Sequence, residues 1–139
     1  MICSNCRVET NEKVCGNCGQ IPIKRGDMWL ANLNGIDPYG RELVPVICIQ
    51  NNMGNKHSPT TIVVVSSLDF RVDRFTERVD MMKNFGIQSV YFDCELITTV
   101  DKSRMIKPIM KLNNKAITRI EKKVAKATMG LYKLFEKIG

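Results

Sequence analysis

The sequence contains no apolar run that approaches the ~20 residues needed to cross a bilayer. Its longest runs, such as Thr60 to Val65, have the length of a strand. No long apolar segment behind basic residues marks a secretory leader, so the expected location is cytoplasmic and no membrane partner is expected. Internal repeats and low-complexity segments are absent. The single histidine, His57, leaves a nucleophilic cysteine one imidazole partner at most. A hydrophobic content of 44% argues against bulk disorder, and 139 residues suffice for one domain of about 100 residues with a small appendage.

Acidic residues are scarce at one end. Residues 102–139 hold 11 Lys/Arg against 2 Asp/Glu, whereas residues 1–101 hold 10 against 12. The whole basic excess behind the net charge of +7 therefore sits in the last 38 residues. Such a tail favours an anionic partner, either nucleic acid or an acidic protein. The alternative is a lysine-rich face kept for solubility.

Four of the six cysteines cluster near the start as C-x2-C, an eight-residue gap, and C-x2-C: Cys3, Cys6, Cys15 and Cys18. Two residues between thiolates let both sulfurs of one turn face a tetrahedral ion, and two such turns close an all-thiolate zinc site with no open position. Gly16 and Gly19 flank the second pair, where the backbone must come close to sulfur. Two disulfides are the alternative, and the missing leader counts against them. Residues 1–20 are too few for a core, so a structural zinc is expected to supply most of their folding free energy, on the order of 10 kcal/mol. Cys48 sits inside an apolar run as a small buried hydrophobe, and Cys94 sits beside Glu95 at a strand end.

Beyond a short linker at Gln20 to Lys24, strands are predicted at Asp27–Leu33, Val44–Gln50 and Thr60–Ser67. A loop at Asn34–Glu42 and turn chemistry at Asn51–Pro59 separate them. Further strands are predicted at Arg78–Met82, Ser89–Phe92 and Ile97–Val100, a helical turn at Asp101–Arg104 and a last strand at Met105–Leu112. Asn113 or Asn114 caps a helix whose stripe runs through Ile117, Ile120, Val124, Ala127, Leu131, Leu134 and Ile138. Many short strands followed by a helix predict a mainly β fold: a small curved antiparallel sheet or partly open barrel with a C-terminal helix packed against it.

Four stretches carry a family likeness. They are Lys24-Arg25-Gly26-Asp27, Pro45 to Asn51, Gly54 to Thr60 and Glu95 to Lys102. In their order and spacing the chain resembles the MazF/PemK toxins over about residues 23 to 135. The organisation read is a zinc knuckle at 1–20 and a MazF/PemK-like domain at 21–139. The resemblance implies a dimeric small-barrel endoribonuclease that cuts single-stranded RNA without metal and is occluded by an acidic antitoxin protein.

Cleavage without metal makes the RNA 2′-hydroxyl the nucleophile, so the protein must move protons and stabilise charge on the phosphate. In the family the loop before the second strand ends in Arg-Pro, and a Ser or Thr ends the third strand. The hydroxyl position matches Ser67, with Ser66 adjacent, and the arginine position matches Val44. Arg41, three residues upstream, is the candidate to reach inward instead; the other reading is a solvated loop charge. Arginine restored at position 44 is expected to raise activity if the groove is otherwise intact. A carboxylate found in some PemK-like members matches Glu95, with a strand-end salt bridge as its alternative. Arg25, Lys56 and Thr98 are the expected RNA contacts, although relatives often carry arginine at the Thr98 position. The competing expectation is a catalytically impaired binding module for nucleic acid or protein, and a third borrows from gyrase-poisoning toxins of related fold.

Overall fold

Runs of β-branched residues build the middle of the sheet in the computed structural model, which describes residues 21–68, 75–83 and 86–129. Strand β1 (Asp27–Asn32) pairs with β2 (Leu43–Cys48), and β2 with β3 (Thr60–Ser66), all antiparallel. Strands β4 (Thr76–Lys83), β5 (Gly86–Asp101) and β6 (Met105–Lys111) complete one six-stranded sheet in the order β4-β5-β3-β2-β1-β6. A 3-10 turn, Lys102–Arg104, joins β5 to β6.

Alternation along the strands gives the sheet two apolar faces. One carries Trp29, Ala31, Val44, Val46, Val63 and Val65, with Ile23, Leu33 and Met105 closing over it. The other carries Met28, Ile47, Val64, Val79 and Phe92, and here the terminal helix packs. That helix, α2, is described over Asn114–Met129 and buries Ala116, Ile117 and Ile120. Asn113 is its cap, accepting from the Ala116 N–H at 2.8 Å. The later stripe positions Leu131, Leu134 and Ile138 lie outside the described residues.

Two segments differ from expectation. The turn-rich stretch Asn51–Pro59 holds a short helix, α1 (Asn52–His57). Asn51 caps it by accepting from the Gly54 N–H, so the side chain that signals a turn here starts a helix. The strands expected at Ser89–Phe92 and Ile97–Val100 are one strand of 16 residues, β5. Its first part pairs with β4 (Thr76 opposite Asp93) and its second with β3, where Ser66 faces Phe92 but Val64 faces Ile97. The residues between form a bulge. The bulge breaks the two-residue alternation, which is why polar Asp93 and Glu95 read as an interruption.

Candidate active site

The β1–β2 loop folds back over the end of β3. Its base is closed by the Leu33 N–H donating to the Glu42 carbonyl at 2.8 Å, and Arg104 braces it by donating to the carbonyls of Asn32 and Asn34. Within it the Gly40 N–H donates to the Asp37 carbonyl, and Gly40 adopts φ 73°, a left-handed turn that side chains resist. This turn aims Arg41 inward.

Asp37 organises the loop. Its fully buried carboxylate accepts from the Tyr39 and Arg41 backbone N–H groups and takes a fork from the Arg41 guanidinium, Nε at 3.0 Å and Nη2 at 3.0 Å. The Arg41 hydrogen bonds hold this carboxyl below its ordinary range. From there Arg41 Nη2 reaches the Ser66 carbonyl at 2.7 Å and Nη1 reaches Ser66 Oγ at 3.3 Å. The guanidinium also lies over the Tyr39 ring, 5.1 Å from its centroid. Of its five N–H groups, four are engaged by described residues, and among these residues one N–H on Nη1 has no acceptor.

Arg41 thus reaches the end of β3 and meets Ser66 directly. Ser67 follows on the chain, nearly buried, its backbone N–H donating to the Tyr91 carbonyl at 2.7 Å. Glu95 is exposed on the β5 bulge, and its backbone N–H donates to Asp93 Oδ1. Among the described residues no hydrogen bond or ion pair joins it to Arg41 or Ser66.

The expected RNA contacts lie on separate elements. Arg25 pairs with Glu121 of α2, while its backbone N–H donates to Asn52 beside α1. Lys56 is half-buried in the last turn of α1, and Thr98 is half-buried on β5 opposite Val63.

Val44 occupies the position matched to the family arginine. Its side chain is 0% exposed in the core, on the face shared with Val46 and Cys48 and opposite Ala31. An arginine introduced there meets packed apolar surroundings. Cys48 is equally buried, and burial, reinforced by Asp27, pushes its thiol well above the usual range. With His57 exposed on α1, no cysteine–histidine pair forms there. Cys3, Cys6, Cys15 and Cys18 lie outside the described residues.

Sequence reading missed Asp37. The signal was present as Asp37-Pro38-Tyr39-Gly40-Arg41, an aspartate before a turn with an arginine four residues on.

A curled six-stranded antiparallel sheet with a C-terminal helix defines a small half-barrel class. The chain belongs to the family described as PemK-like, MazF-like toxin of type II toxin–antitoxin system, which matches residues 24–128. It is 31% identical over 105 residues to the Endoribonuclease EndoA of Bacillus subtilis (strain 168), covering 71% of this chain and 88% of that one. Among solved structures, an endoribonuclease from Mycobacterial species is similar in fold, with a TM-score of 0.62 at 18% identity over 80% of this chain and 94% of that one. An endoribonuclease from Mycobacterial species in complex with its cognate antitoxin gives 0.60 at 20% identity, over 78% and 96% of the two chains. Among the described residues no helix is long and apolar enough to cross a membrane.

Proposed function

We propose that this chain is the toxin of a toxin–antitoxin pair and an endoribonuclease that cuts single-stranded RNA without a catalytic metal. The observation that carries the reading is the Arg41 guanidinium at Ser66, which brings a permanent positive charge next to Ser67, the family's hydroxyl position, although Val44 replaces the family arginine. Family membership and the EndoA relative support the reaction class.

In the proposed reaction the 2′-oxygen attacks the adjacent phosphorus. The new O2′–P bond forms as the P–O5′ bond breaks, giving a 2′,3′-cyclic phosphate and a free 5′-hydroxyl. Arg41 offers its remaining Nη1 N–H to the phosphate, whose negative charge grows in the transition state. Ser67 supplies a hydroxyl to the same group. Glu95 takes the 2′-proton once RNA bridges the bulge to the loop, a water molecule protonates the departing 5′-oxygen, and Arg25, Lys56 and Thr98 steady the flanking nucleotides. The protein acts in the cytoplasm as a homodimer, and an acidic antitoxin covers the groove; the mycobacterial complex supports such a partner. A structural zinc on Cys3, Cys6, Cys15 and Cys18 folds residues 1–20.

One observation favours a second reading. Asp37 already neutralises Arg41, so the chain fits a binding module that holds RNA without cutting it. A gel of mixed-sequence RNA in EDTA separates the two. The natural chain is expected to leave cyclic-phosphate ends; Arg41→Ala lowers the rate about 10²–10³-fold, and Ser67→Ala lowers it strongly. Retained RNA binding with no cleavage establishes the binding module instead.

A further inference from the structure

We propose that Tyr39 is a stacking platform for a nucleobase beside the Arg41 phosphate position, so that the β1–β2 loop reads single-stranded nucleic acid through a base as well as its backbone. The inference rests on the RNA reading above for its ligand class and adds a subsite to it.

Tyr39 is 49% exposed although its ring is large and apolar. Its conformation is nevertheless fixed: the backbone N–H donates to the buried Asp37 carboxylate, and Arg41 covers one face of the ring. The exposed part of the ring offers surface for a second planar group. A cation on one face draws electron density from the ring and favours an electron-rich partner on the opposite face. The surroundings are apolar too. Of the eight large hydrophobic side chains exposed among the described residues, Ile36, Tyr39 and Leu43 lie in or at the end of this loop, and Leu68 follows Ser67.

An inorganic phosphate has no use for such a rim. Double-stranded RNA keeps its base faces stacked inside the helix, whereas a single strand offers a phosphate and an open base at adjacent positions. Arg41 and Tyr39 present the matching pair of surfaces.

The test uses two fluorescein-labelled eight-nucleotide probes that cannot be cut: 2′-O-methyl oligoadenylate, and a 2′-O-methyl ribose-phosphate strand of equal charge lacking all bases. Anisotropy titrations compare the natural chain with Tyr39→Phe, Tyr39→Ala and Arg41→Ala, each checked for an unchanged melting temperature. The natural chain is expected to bind oligoadenylate roughly tenfold more tightly than the base-free strand. Tyr39→Phe keeps that gap, Tyr39→Ala closes most of it, and Arg41→Ala weakens both probes alike.

If the gap survives in Tyr39→Ala, the stacking inference falls and RNA binding stands. If the natural chain binds neither probe, the RNA reading falls and takes the platform with it. A Tyr39→Ala protein with an altered mass by light scattering and unaltered affinities assigns the rim to a second copy of the chain, and overturns the inference.

Discussion

Arg41 and Asp37 form one unit. The carboxylate accepts two backbone N–H groups and two guanidinium N–H groups, so the loop is wrapped around it, and the arginine is held with little rotamer freedom left. Because Asp37 titrates below its ordinary value when folded, this brace is complete above about pH 3.9 and is lost only as pH falls through the lowered value. The same packing logic governs position 44. Val44→Arg places a guanidinium at a fully buried site, and a cost of about 3–5 kcal/mol is expected. Thermal melts should show a fall in Tm of ten degrees or more for a domain of roughly this size. An unchanged Tm together with faster RNA cleavage would show instead that this side chain escapes into the groove.

At the scale of elements, α2 is fastened to β4 by more than apolar contact. Glu77 of β4, 7% exposed, accepts from Arg119 Nε at 2.6 Å and Lys123 Nζ at 2.7 Å. Burial pushes its carboxyl up, but the hydrogen bonds and charges of Lys123 and Arg119 outweigh this and bring it below its usual value. A depressed folded pKa stabilises the protein above the unfolded value and stops doing so as pH falls through the folded one. Glu77→Gln is therefore expected to lower Tm by several degrees at pH 7, with the difference shrinking below about pH 4.5. A difference independent of pH would mean that shape rather than charge fastens the helix. Two of the basic residues that read as a solvated or anion-binding face, Arg119 and Lys123, thus serve partly as internal ties. The β5 bulge belongs to the same scale, since it decides where Glu95 emerges.

For the whole molecule, the zinc knuckle and the dimer are open to a single measurement. Native mass spectrometry at micromolar concentration is expected to give about twice the chain mass of 15.8 kDa with one zinc per chain. Cys15→Ser should lose the metal, because three thiolates and a water hold zinc less well than a closed four-thiolate set. A metal-free species carrying two disulfides, or a strict monomer, would overturn the corresponding proposal. The concentration of positive charge after residue 101 gives any such assembly an electrostatic attraction to polyanions that weakens with salt.

The sequence alone determined what depends on local order. Partial alternation placed β1, β-prone apolar runs placed β2 and β3, the three- and four-residue stripe placed α2 through Val124, and four ordered stretches identified the family. Those signals are local because a strand or helix buries one face repeatedly along its own length. The candidate site was half legible: Arg41 was visible as a charge near the missing arginine, while its partner among the hydroxyls was not. Only tertiary structure decided that Asp37 would be buried and Ser66 would meet the guanidinium, since Arg41 and Ser66 stand 25 residues apart. Tertiary structure likewise joined two predicted strands into β5 and enclosed Val44. Burial and bulges depend on what packs opposite, and a residue's neighbours along the chain do not reveal that.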